Sequence, residues 1–327
     1  LDTIAYFNGL HPYVQDYVNL YAGIGASVGY SCMAPLVDGT GNTDGDPLFA
    51  NRAQGDFRPV PGAPGIDGGD VNPMVPNDLD GRPRPLDADG DGISTHDMGA
   101  YESDTAGALQ CGFTLNTYAG VAPLTVTMTA HAAGTNTDLT EYYWDITGVL
   151  DANNINTATY QGPTLSALTV VYDTPGIYSI ALGVENNDES AFYLRTSVLT
   201  VYPRTNYVWA GNTTPTVPYD SLSKAATNIQ DAIDMAGEGT VVLVTNDTYT
   251  LDRDLVLYQG VTVQATPRTS MPILSHNVAT QINRVVTLLH PNAVLDGFVI
   301  TNGYMYNSVY PFDRGGGVFM MNGKLLN

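Results

Sequence analysis

Apolar and polar positions alternate with a period of two through much of the chain. In the run that follows Pro175-Gly176, residues Ile177, Ser179, Ala181 and Gly183 alternate with Tyr178, Ile180, Leu182 and Val184, the pattern of a half-buried strand. Pro175-Gly176 itself reads as a turn, with Pro fixing φ at the second position and Gly accepting the positive φ that follows. Upstream, Leu124, Val126 and Met128 share one face, Tyr142-Tyr143-Trp144 precedes Asp145, and Val198-Leu199-Thr200-Val201 closes the stretch. Short strands with turn signals at this spacing over residues 107–203 predict an antiparallel β-sandwich.

The flanking segments carry shorter runs. Residues 1–50 hold Thr3-Ile4-Ala5-Tyr6-Phe7, Tyr17-Val18-Asn19-Leu20-Tyr21 and Ala26-Ser27-Val28-Gly29-Tyr30-Ser31-Cys32, strands too short to bury both faces without stacking on neighbours. After Pro203, residues Leu222, Ala225, Ala226, Ile229, Ala232, Ile233 and Ala236 recur at steps of three and four. This predicts one amphipathic helix, capped by Asp220 and ended by Gly237 or Gly239. Its place just before Thr240-Val241-Val242-Leu243-Val244 makes it a lid over the strands that follow. Those strands are Asp254–Leu257, Val261–Ala265, Arg284–Leu289 and Ala293–Gly303, with glycines suited to tight corners and Asn302 placed to begin a stacked asparagine ladder.

Several of these runs carry family resemblances. Gly120-Val121-Ala122-Pro123-Leu124-Thr125-Val126, Tyr143-Trp144-Asp145 and Asp173-Thr174-Pro175-Gly176-Ile177-Tyr178 resemble, in order, the three signatures of the PKD domain, an immunoglobulin-like extracellular module that mostly serves as spacer or adhesion unit. The sequence departs from that family after Trp-Asp, where Ile146-Thr147-Gly148-Val149 replaces Gly-Asp-Gly. Asp46-Pro47-Leu48-Phe49, Asp56-Phe57-Arg58, Pro64-Gly65-Ile66-Asp67-Gly68-Gly69, Asp78-Leu79-Asp80-Gly81 and Asp97-Met98-Gly99-Ala100-Tyr101-Glu102 resemble the C-terminal end of right-handed parallel β-helices in bacterial choice-of-anchor surface proteins. Ala226–Asp234, Leu295–Gly303 and Gly315-Gly316-Gly317-Val318 resemble the cap and first coils of the same proteins and of polymorphic outer-membrane-type repeats. Together these imply a mostly all-β chain of three parts. Residues 1–106 would be the last coils and Asp-rich tail of one β-helix, 107–203 a PKD-like sandwich, and 204–327 the cap helix and first coils of a second.

Charge narrows the partners. The 327 residues carry 33 acidic and 12 basic side chains, a net of −21, of which residues 1–106 supply −12, 107–203 supply −7 and 204–327 supply −2. Nucleic acid is therefore not an expected partner, since a phosphate backbone is held by clustered positive charge. No apolar run reaches the ~18–20 residues that span a bilayer, so no membrane insertion is expected within this segment. The chain opens at Leu1 and closes at Leu326-Asn327 inside strand-like runs, and is expected to be a segment of a longer polypeptide.

Asp87-Ala88-Asp89-Gly90-Asp91-Gly92 places carboxylates at alternate positions with a glycine for the sharp turn, the first half of a calcium loop. The twelfth position is Met98 rather than Glu, so an EF-hand is not implied; the expected calcium ligands are Asp87, Asp89, Asp91 and Asp97. A solvated acidic turn is the other reading. Cys32 and Cys111 are the sole cysteines, readable as a disulfide between the first segment and the sandwich or as two buried thiols. The five histidines show no zinc-ligand spacing. Tyr304, Tyr306 and Tyr310 are candidates for stacking on sugars. Asn212 and Asn246 lie in glycosylation sequons.

The expected function is thus structural or adhesive, in a secreted protein at a cell surface or in an extracellular matrix, without catalysis. Open coil ends would stack on copies of the chain, head to tail, or on further coils of the same polypeptide. The alternative is a fragment of a β-helix polysaccharide lyase or a carbohydrate-binding protein, with Asp296, His290, Arg284 and Arg314 as its catalytic candidates.

Overall fold

The computed structural model describes residues 3–5, 28–34, 36–70, 75–89, 91–104, 107–147, 158–276, 284–304 and 316–326. They are mostly β, with a single short α-helix among the described residues. The chain divides into two compact units, Leu1–Asn116 with Val126–Val170 and Tyr178–Val198, and Thr117–Thr125 with Val171–Ile177 and Leu199–Asn327.

The first segment is poor in regular structure. Strand β1 (Thr3–Ala5) runs parallel to β2 (Ser31–Met33), and Cys32 is bridged in parallel to Thr43. Strands β3 (Phe49–Asn51) and β4 (Asp56–Pro59) form a hairpin around a single 3-10 turn, where the Asn51 side chain accepts from the Gln54 N–H and Gly55 takes φ 78°. This segment is anchored within its unit by Tyr193, whose hydroxyl donates to the Phe49 carbonyl (3.0 Å), and by a half-buried ion pair between Arg195 and Asp46.

The middle of the chain forms two sheets from β5 (Gln110–Leu115), β6 (Ala119–Val121), β7 (Leu124–Ala133), β8 (Glu141–Asp145), β9 (Tyr160–Gly162), β10 (Ala167–Tyr172), β11 (Gly176–Glu185) and β12 (Ser190–Tyr202). One sheet has the order β10-β7-β5, the other β6-β12-β11-β8-β9. The pairs β5–β7, β8–β9 and β8–β11 are antiparallel as predicted, but β6 runs parallel to β12, so the larger sheet is mixed. Alternation places Val126 and Met128 of β7 at full burial, and Phe113 of β5 meets Trp144 of β8 edge to face at 5.5 Å. The Trp144 indole N–H donates to the Leu165 carbonyl (2.8 Å), which satisfies its polar edge inside the core. Asp145 takes up the departure from the Trp-Asp-Gly pattern. Its carboxylate accepts from the Thr147 amide (2.7 Å), the Thr147 hydroxyl (2.6 Å) and the Thr159 hydroxyl (3.1 Å).

Two expectations here are corrected. Gly176 opens β11 as extended backbone without a positive φ, so Pro175-Gly176 is a strand entry rather than a turn that needs glycine's left-handed freedom. And β11 is not half-buried throughout: residues 180–184 are all buried, in a strand that lies between β12 and β8. Its small side chains, Ala181 and Gly183, occupy the face predicted to be polar.

The described residues between 204 and 326 visit three sheets in turn. Strands β13 (Thr205–Val208) and β14 (Val241–Thr245) are followed by β15 (Thr248–Leu251), β16 (Leu255–Leu257), β17 (Thr262–Thr266), β18 (Ile273–His276), β19 (Val286–Leu288), β20 (Val294–Asp296), β21 (Val299–Thr301), β22 (Val318–Met320) and β23 (Lys324–Leu326). The sheets are β13-β14-β17-β20-β23, β15-β18-β21 and β16-β19-β22, and every pairing in them is parallel. Register aligns like with like. Asn206, Val242, Val263, Leu295 and Leu325 form one column, and Leu257, Leu288 and Met320 another. Asn302, at φ 59° in the left-handed region, donates to the Ser275 hydroxyl of the preceding turn of chain (3.0 Å).

The predicted short capping helix is shorter still than its apolar stripe. Leu222–Lys224 is a 3-10 turn, Ala226 is bridged in parallel to Val208, and only Ile229–Asp234, here α1, is α-helical. Its cap is Asn228, whose side chain accepts from the Gln230 N–H (2.8 Å); Asp220 instead pairs with Lys224 (2.9 Å). The three- and four-residue steps do mark burial, since Ala225, Ala226, Ile229, Ala232, Ile233 and Ala236 are all at most 1% exposed. Small side chains on an extended segment serve that purpose as well as a helix does. Helix α1 packs against β13, β14 and β16 and shares their apolar core. Its last carbonyls are met by side-chain amides: Asn206 Nδ2 donates to Ala232 (2.8 Å), and Gln259 Nε2 donates to Ile233 (2.9 Å) and Ala236 (2.8 Å).

Candidate cation site in the acidic segment

Between Val60 and Glu102 the backbone finds few strand partners; isolated bridges link Asn77 to Pro83 and Leu86 to Thr95. Buried N–H groups must nevertheless be satisfied, and aspartate and glutamate side chains satisfy them. Glu102 accepts from the amides of Asp97 (2.9 Å) and Leu86 (3.1 Å) and from the Arg84 guanidinium (2.7 Å). Arg84 in turn donates to the carbonyls of Asp97 (2.6 Å) and Gly99 (3.1 Å). Asp78 accepts from the amides of Arg82 (2.7 Å) and Glu102 (3.0 Å). Much of the acidity of the segment is therefore scaffolding.

Within this scaffold Asp67, Asp87 and Asp89 bring carboxylate oxygens to within 4.8 Å of one another. The turn that places them is built by the carboxylates themselves. Asp87 accepts from the Gly92 amide (2.9 Å), Asp89 from the Asp91 amide (3.0 Å), and Asp67 from the amides of Ala88 (3.0 Å) and Asp89 (2.7 Å). Burial, reinforced by the nearby charges of Asp97 and Asp89, pushes the Asp67 pKa up to about 6 against the opposing pull of those amides. The other oxygen of Asp67 is buried without a hydrogen-bond partner. An all-carboxylate donor set with an unsatisfied oxygen and a raised pKa suits a hard divalent cation, which takes oxygen ligands. Three carboxylates alone do not select calcium over another such cation.

The predicted ligand set is thus only half assembled. Asp87 and Asp89 belong to the cluster. Asp91 does not: its carboxylate accepts from the Ile93 amide (2.7 Å). Asp97 does not either. It is fully buried, and its oxygens hold the amides of Asp67 (2.8 Å) and Ser103 (2.6 Å). Asp67 was invisible to loop spacing because it joins from a separate loop.

The remaining candidates are dispersed. Cys32 and Cys111 are free, buried thiols rather than a disulfide. Cys32 Sγ donates to the Gly45 carbonyl (3.2 Å) and Cys111 Sγ to the Leu182 carbonyl (3.8 Å), each in its own pocket. Burial raises the two pKa values to about 11 and about 12, which keeps both thiols protonated and unreactive. The Asn212 sequon is buried: the amide nitrogen donates to the Ala225 carbonyl (2.6 Å) and is not presented for glycosylation, whereas Asn246 is exposed at the corner between β14 and β15. Tyr304 is exposed; Tyr306 and Tyr310 lie outside the described residues.

The described lyase candidates each have a partner of their own. Asp296 is held by Arg268, His290 faces Glu238 (3.7 Å), and the Arg284 guanidinium stacks on Phe319 at 4.4 Å; Arg314 lies outside the described residues. No helix among the described residues is long and apolar enough to cross a membrane. Compared with protein-family models and with curated proteins, the chain matches none.

Proposed function

We propose that this chain is a structural or adhesive element of an extracellular surface or matrix protein. In this reading residues 204–326 are the start of a parallel β-helix, residues 107–203 a PKD-like spacer, and the exposed face of the last described coil stacks on a second copy. One observation carries the reading. The inward columns of the stack are fully buried until the last coil, where Leu325 is 46% and Met320 53% exposed, below Leu295 and Leu288 at 0%. The next parallel coil would cover both side chains and pair the outer edge of β23. Among the described residues β1 pairs only with β2, and its other edge is the one we assign to the head-to-tail contact. A divalent cation on Asp67, Asp87 and Asp89 would stiffen the acidic segment, and the net charge of −21 keeps other surfaces apart.

Sedimentation velocity and electron microscopy of the 327-residue chain test this. Concentration-dependent oligomers or filaments are expected, and Leu325→Asp is expected to leave the chain monomeric with its melting temperature unchanged. A wild-type chain that stays monomeric throughout, or a variant that assembles equally well, overturns the proposal.

A further inference from the structure

His276, the last residue of β18, is buried, and both nitrogens of its ring meet backbone carbonyls. Nδ1 lies 2.8 Å from the carbonyl oxygen of Leu251, which ends β15 one coil earlier. Nε2 bonds to the carbonyl of Arg284, which leads into β19. Leu251 is also the register partner of His276 in the parallel ladder. One ring therefore ties β18 both to the strand beside it and to the start of the next sheet.

A carbonyl oxygen can only accept, so each ring nitrogen has to donate. A neutral imidazole carries a single N–H, and in either tautomer its other nitrogen would set a lone pair against a carbonyl oxygen. At 4% exposure, water does not relieve that contact. Only the imidazolium donates to both carbonyls. The charged groups around the ring act in both directions. Asp254, just before β16, is half-buried; burial pushes its carboxyl above the usual carboxylate range, against the pull of the Thr287 hydroxyl (3.1 Å) and of Arg284 and His276. The Arg284 guanidinium, stacked on Phe319, opposes a second cation. Asp252 and Arg253, which follow Leu251, are exposed. Thr301 of the next coil, its neighbour Asn302, and every residue from 277 to 283 are uncharged. We propose that His276 is held as the imidazolium and serves as a pH-sensitive clip between successive coils. Loss of its proton removes one of the two hydrogen bonds and leaves a buried carbonyl facing a lone pair. The sign follows from where the proton is held. The folded chain binds it with two fixed acceptors, the unfolded chain with water alone. The stability the clip contributes is therefore complete below about pH 6, and it is lost as pH rises through neutrality. The clip uses no residue of the cation cluster or of β23, so it is independent of both.

Two measurements on the full chain test this. The first is long-range nitrogen–proton correlation spectroscopy of the histidine rings at about pH 7, with His276 assigned through its own backbone. Its ring is expected to carry a proton on both nitrogens. The second is thermal melting between about pH 6 and about pH 9. Across that range the melting temperature of the wild type is expected to fall by roughly 2 °C more than that of His276→Gln. Glutamine keeps an amide donor and does not titrate, and the titrations common to both proteins cancel in the difference. A ring with one bare nitrogen at about pH 7, or an equal decline in the two proteins, would overturn the assignment. Should His276→Gln not fold, the ring spectrum of the wild type decides alone.

Discussion

Glu102 is fully buried, yet it holds a guanidinium and two backbone amides in a segment with few strands to hold them. Asp78 and Asp97 do the same for other loops, so composition alone overstates how many carboxylates are available to a ligand. Asp67 is the exception, because one of its oxygens is buried without a partner. Its pKa, raised to about 6, makes the sign of the pH effect definite. The folded state holds the proton more tightly than the unfolded state, so without a cation stability falls as pH rises from about 4 to about 6. Asp97 and Asp254 are shifted in the same direction, whereas Asp56, Asp78 and Glu238 are lowered and act below that window. Thermal melts in chelator should therefore show a decline across this window that is smaller in Asp67→Asn, which keeps an acceptor for the Ala88 and Asp89 amides. Added calcium should restore stability to the wild type near pH 7 and not to the variant. An equal decline in both proteins, or equal stabilisation by calcium, contradicts this role. The alternate spacing of Asp87 and Asp89 was legible in the sequence; Asp67, from another loop, was not, and the structural use of Asp91 and Asp97 depends on which amides the fold leaves unpaired.

At the scale of elements, the stripe from Leu222 to Ala236 shows how periodicity reports burial more faithfully than conformation. Ala226 and Ile233 are both buried, one on extended chain and one on α1, while Leu222 is half exposed. The two caps make the difference measurable. Asn228→Ala should cost about 1 kcal/mol, the usual value of a helix N-cap, whereas Asp220→Ala removes a partly exposed ion pair and should cost less than about 0.5 kcal/mol. Chemical denaturation of the two variants decides it, and a larger loss at Asp220 would favour a helix capped there. In the sandwich, alternation placed Leu124, Val126 and Met128 on one face, and Val126 and Met128 are fully buried while Leu124 is half-buried. It misjudged β11, which lies between its sequence neighbour β12 and the distant strand β8.

For the whole molecule, predominance of β structure was legible in the many short apolar runs and the glycine-rich corners. The parallel register was not, since no single run specifies its partner; it emerges when Val242, Val263 and Leu295 stack in one column. That column ends on Leu325, and the proposed architectural role rests on what covers it. Hydrogen exchange at the β23 edge, followed as protein concentration is raised, tests this most directly. The account predicts that the Leu325 amide, which points away from β20 while that of Lys324 donates to Ala293, gains protection as copies associate, together with those of β1, while the interior of the stack is unchanged. Rapid exchange at β23 at every concentration, in a chain whose interior strands are protected, would contradict it.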